Sequence, residues 1–154
     1  MKRKTQGVTF KNVVETTPDI ASGYKPGLTA LGANSSKVKV VNNSLIKGSV
    51  DIDTCTAHTY PNAHRWDYVI GYKSSVIFVE VHSAHTSEVS RVLDKLKWLK
   101  QWLNSSAPDL KKLADTKQPY VWIQSKDFKI LRTSIQYRQA AENGILPRAN
   151  LILD

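Results

Sequence analysis

The feature that most constrains this chain is the stretch RWDYVIGYKSSVIFVEVHSAHTSEV, residues 65–89. Two apolar runs of strand length flank Lys73 and Ser74, and a helical pattern follows at once. Such a segment predicts strands at 66–72 and 75–82 joined by a two-residue turn. Side chains alternate along a strand, so Glu80 and His82 share a face with Val76 and Phe78, while Ile77, Val79 and Val81 point to an aliphatic face. The turn sets the register: Gly71 opposite Val76, Val69 opposite Phe78, Asp67 opposite Glu80, Arg65 opposite His82. Like charges directly across a sheet repel. Asp67 and Glu80 therefore require a shared proton, a cation, or side chains that lean apart or meet lysines. A hard divalent ion with oxygen ligands is one solution.

The hairpin sits among further predicted elements. KVKVV (37–41) and GSVDID (48–53) alternate as strands, and PYVWIQ (119–124) and NLIL (150–153) add two more. A long helix runs from Thr86 or Ser87, either of which can cap it, to Leu103, with NSSAP ending it. A helical piece is expected at 110–114, and RTSIQYRQAAENG predicts a helix closed by Gly144. Residues 1–36 are cut by Pro18, Gly23, Pro26, Gly27 and Gly32 into short pieces, with a brief helix near Asp19 or Leu28. The expectation is an α/β (α+β) fold with a mixed central β-sheet flanked by helices, in one domain over 1–154. Residues 1–36 would be an irregular or helical N-terminal segment and 37–154 the core.

Charge narrows the partners. Lys and Arg number 22 against 13 Asp and Glu, a formal net charge of +9, which makes a polyanion the first partner to consider. No run is long and apolar enough to span a membrane. The basic start, MKRKTQGVTFKN, lacks the apolar stretch of a secretory signal, and its KRK is read as a frayed terminus. A single cysteine, Cys55, excludes an internal disulfide and fits a reducing compartment, so the cytoplasm is the default location. Cys55, His58 and His64 share a loop with C-x2-H-x5-H spacing, but no second pair completes a zinc knuckle.

Within this pattern the hairpin resembles the core of the PD-(D/E)XK nuclease superfamily. The matching residues are Asp67 in RWDYVIGY and Glu80 in VIFVEVHSA, with SVDID as the preceding strand and residues 48–124 as the region covered. The resemblance implies a restriction-endonuclease-like core and an endonuclease that hydrolyses DNA with Mg2+ or Mn2+. Asp67 and Glu80 would be catalytic residues and metal ligands. A further acid often comes from an earlier element, for which Asp53, Asp51, Glu15 and Asp19 are candidates, with Asp53 preferred. The departure falls at the third position, where the family has lysine and this chain has His82; Trp66 stands where the family has proline. A neutral imidazole can act as general base or as a metal ligand favouring Mn2+ or a softer ion. The missing positive charge can come from Lys95, Arg91 or Arg65. The substitution equally suits a catalytically inactive nucleic-acid-binding module of the same fold.

On the long helix, Val89, Val92, Leu93, Leu96, Leu99 and Leu103 form one stripe for the sheet. Arg91, Lys95, Trp98 and Trp102 form a second. The tryptophans are expected to pack on the N-terminal segment or a dimer partner, or to stack on bases. A protein-interaction or homodimerisation face at Trp98 and Trp102 is thus a third reading. Arg65, His85, Arg91, Lys95 and Trp98 are the candidate nucleic-acid contacts.

Overall fold

The computed structural model describes residues 8–154; the KRK start expected to fray lies outside them. The first helix, α1 (Phe10–Glu15), was not legible in the sequence. Thr9 caps it by accepting the Asn12 N–H, and Phe10, Val13 and Val14 are buried. Pro18–Ile20 and Thr29–Lys37 form 3₁₀ turns, the second broken at Gly32. Strand β1 (Val38–Val40) and strand β2 (Ile46–Asp51) follow.

The predicted strand 48–53 ends early. Asp51 accepts the Thr54 N–H and starts helix α2 (Ile52–Thr56), so Asp51 and Asp53 do not share a strand face as expected. Strands β3 (Tyr68–Tyr72) and β4 (Ser75–His82) form the hairpin. Beyond a 3₁₀ turn at Thr86–Glu88 come α3 (Val89–Ser106), α4 (Pro108–Lys112), β5 (Tyr120–Gln124), α5 (Ile135–Glu142) and β6 (Leu151–Leu153). Neither Thr86 nor Ser87 caps α3; the Thr86 hydroxyl instead accepts the Leu131 N–H at 2.9 Å.

The architecture is mixed α/β. One sheet has the order β2-β3-β4-β5, antiparallel through β4 and parallel from β4 to β5, with α3 in the crossover. β1 and β6 form a separate parallel pair, a partnership the sequence alone did not suggest. The hairpin has the predicted register, Val69 opposite Phe78 and Gly71 opposite Val76, with Lys73 in the left-handed region at φ 55°. Among the described residues no helix is long and apolar enough to cross a membrane.

Both sheet faces are covered. On one face Val69, Val76, Phe78 and Trp122 pack with α1 and the α3 stripe of Val89, Val92, Leu96, Leu99 and Leu103. Each buried aliphatic side chain there contributes about 1.5–3 kcal/mol. On the other face Ile70, Ile77, Val79, Val121 and Ile123 meet Leu31, Val38, Leu151 and Leu153. The alternation in β4 is thus the one its sequence predicts. Gly71 permits the close seat of α1, since a Cβ there would stand 2.5 Å from Phe10 Cγ.

Candidate active site at the hairpin end

The backbone ladder of β3 and β4 stops at Tyr68 opposite Val79. One residue further, side chains replace it. The Asp67 N–H donates to Glu80 Oε1 at 3.1 Å, and the Val81 N–H donates to Asp67 Oδ2 at 3.0 Å. From the other side, the Ile52 and Asp53 N–H groups donate to the Asp67 carbonyl at 2.8 and 3.3 Å. Asp67 is therefore fixed by β2's exit, by β4 and by its own place in the chain. Glu80 has no solvent exposure at all.

The cation that the opposed acids require is a lysine. Lys95, in the second turn of α3, donates to Glu80 Oε2 and to Asp67 Oδ1, the latter at 3.3 Å. Burial works against its charge, but Glu80 and Asp67 outweigh it and hold the ammonium above its ordinary value. Burial and the Glu80 charge push the Asp67 carboxyl up from 3.8 to about 7, against the pull of Lys95.

His82 joins the edge of this cluster. Its Nδ1 lies 3.5 Å from Glu80 Oε2 and its Nε2 lies 2.7 Å from Glu88 Oε1. The Glu80 contact raises the imidazole above its ordinary value; burial opposes this and Glu88 reinforces it. Glu88 is in turn lowered by His82, and Arg91 stands 3.7 Å from the same Glu88 oxygen. Sequence reasoning passed over Glu88. Its signal was the spacing: six residues after His82, on the turn that carries the chain from β4 into α3.

Other candidates fall elsewhere. The Asp53 carboxylate is held by Arg65 Nε at 2.8 Å, and Arg65 also donates to the Tyr60 and Pro61 carbonyls. That corrects two expectations: Arg65 does not face His82, and Asp53 does not join Asp67 and Glu80. Among the described residues no three His, Cys, Asp or Glu side chains form a group able to hold a metal ion, and the Asp51 carboxylate accepts from the Thr54 N–H and hydroxyl, each at 2.9 Å. Glu15 is exposed, and Asp19 accepts from Tyr60 Oη at 2.7 Å and from Trp102 Nε1 at 2.9 Å.

Trp102 is consequently buried at 2 % exposure, and Trp98 stacks on it at 5.7 Å with Tyr60 edge-on at 5.8 Å. Trp102 is thus tied to the protein's own N-terminal segment through Asp19, while Trp98 is half-buried between Trp102 and Tyr60. His85 is exposed at the turn before α3. Cys55 is half-buried, and burial raises its thiol; His58 and His64 are exposed.

Comparison of the chain with protein-family models, curated proteins and solved structures finds no match.

Proposed function

We propose that the protein is a divalent-metal-dependent endonuclease acting on DNA. The observation that carries this reading is the convergence of Asp67, Glu80 and Lys95 at the buried end of the hairpin, within the strand order β2-β3-β4-β5. It combines the acidic pair and the lysine of the PD-(D/E)XK pattern, with the lysine supplied by α3 where the motif position holds His82. Asp67 Oδ1 and Glu80 Oε2 both face one ammonium, so they offer two oxygens to one positive centre. Mg2+ suits such a pair, because it commonly takes one or two carboxylates and keeps several waters. A cage made wholly of protein ligands does not fit these residues. When bound by Asp67 and Glu80, Mg2+ or Mn2+ would supply Lewis acidity and water activation.

The chain's own groups have separable roles in this reading. Lys95 sets a positive charge beside the pair, suited to a phosphate oxygen. His82 takes up a proton at the edge of the cluster, and Glu88 orients its ring through Nε2. The +9 formal charge favours a polyanionic substrate. The lone Cys55 suits a reducing cytoplasm.

One observation favours the silent DNA-binding module instead: a cation of the protein's own, Lys95, already stands between the opposed acids. Supercoiled plasmid separates the two readings. Nicking with Mg2+ or Mn2+ that stops in chelator supports the enzyme. A salt-sensitive gel shift without nicking under either ion supports the silent module.

A further inference from the structure

We propose that the segment between β5 and α5, residues 125–134, is the element that grips DNA beside the site; this rests on the nuclease reading. The segment is tied to the chain leaving the site. The Ser125 N–H donates to the His82 carbonyl at 3.0 Å, the Lys129 N–H to the Ala84 carbonyl at 2.8 Å, and the Leu131 N–H to Thr86 Oγ1 at 2.9 Å. Ile130 anchors it, only 3 % exposed. It therefore runs along residues 82–86, whose first member touches both Glu80 and Glu88.

Its exposed side chains include three cations against one acid, Asp127, a positive surplus that suits a phosphate backbone. Lys126, Lys129 and Arg132 lie along it, and among the described residues none of them pairs with a carboxylate. The Arg132 guanidinium lies over the Phe128 ring at 5.2 Å and the Tyr137 ring at 5.8 Å, and Nη1 donates to Tyr137 Oη at 3.4 Å. Stacking of this kind restricts an arginine before any ligand arrives, so less freedom is lost when it meets phosphate. Leu131, next to it, is 66 % exposed. An apolar side chain flanked by cations on a tethered loop matches the wedges that enter a minor groove while neighbouring cations hold the strands. The occupant is duplex DNA, with Lys129 and Arg132 on phosphates and Leu131 in the minor groove.

The test is fluorescence anisotropy of a short labelled duplex in chelator, titrated across salt, with the full-length protein and variants. Lys129→Ala/Arg132→Ala is expected to bind more weakly and to lower the slope of log affinity on log salt by about two, roughly 0.9 for each phosphate left without its cation. Leu131→Ala is expected to weaken binding with the slope unchanged. Glu80→Gln should still bind, which separates gripping from chemistry. If the wild type binds and the double variant keeps its slope, the loop assignment is overturned while the nuclease reading stands. If the wild type shows no binding at low salt, the DNA reading itself is overturned. All three substituted loop side chains lie on the protein's outside, so unchanged thermal unfolding is expected to accompany these effects.

Discussion

Lys95 on α3 donates into the fully buried Glu80 carboxylate on β4, so a helix–sheet contact, not a strand neighbour, neutralises the acid. Removing one partner of a buried pair strands the other. Lys95→Met is expected to cost about 3–5 kcal/mol of stability. Adding Glu80→Gln, which retains an acceptor for the Asp67 N–H, should recover a large share of that loss. Urea unfolding of the two single variants and the double variant measures the coupling; strictly additive losses would contradict the pairing.

The contact of His82 with Glu88 sets a pH dependence. Both Glu80 and Glu88 raise the imidazole, so more base is needed to free it. The rate should therefore rise with pH along a limb lying above the ordinary 6.5. Glu88→Gln removes one of the two raising contacts and should move that limb to lower pH. A pH–rate profile that keeps its limb in the Glu88→Gln variant would contradict a role for His82 in proton transfer.

Asp67 makes stability itself pH-dependent. Its carboxyl titrates at about 7 in the fold against an ordinary 3.8, so the native state binds the proton more tightly. Stability from this group is then highest at low pH and is lost as pH rises from about 4 through about 7. His82, also raised, adds loss in the same direction above 6.5. The urea midpoint of the wild type should fall between about pH 5 and about pH 8, and Asp67→Asn should flatten that fall. An equal fall in Asp67→Asn would contradict the assignment.

Much of this arrangement was legible in the hairpin. Period-two alternation and a two-residue turn leave one register, and that register brings Asp67 to Glu80. The sequence also offered Lys95 among three possible sources of the positive charge, but could not choose, because helix phase relative to a sheet depends on packing. Glu88 was missed because its contact is made across a turn, where neither periodicity applies. Asp53 misled for a physical reason: SVDID alternates like a strand, yet Asp51 is a helix cap and turns the chain one residue later. The β1–β6 pair escaped because nothing local joins residues so far apart in sequence.

Asp19 joins the N-terminal segment to α3 by accepting from both Tyr60 and Trp102. Asp19→Ala leaves a buried indole N–H without its partner, at an expected cost of about 1–3 kcal/mol. Thermal unfolding should register the loss, and the mass in solution should not change. A change in oligomeric state would restore the tryptophan face as an interface between copies.

If Asp67 and Glu80 form a metal-dependent phosphodiesterase site, incubating supercoiled plasmid with the wild type and with Glu80→Gln in Mg2+, in Mn2+ and in chelator separates the two proteins. Nicked and linear products are predicted only for the wild type with a divalent ion, while Glu80→Gln stays inactive and keeps the wild-type circular dichroism. Cleavage by Glu80→Gln, cleavage in chelator, or no cleavage by the wild type with either ion would contradict that assignment.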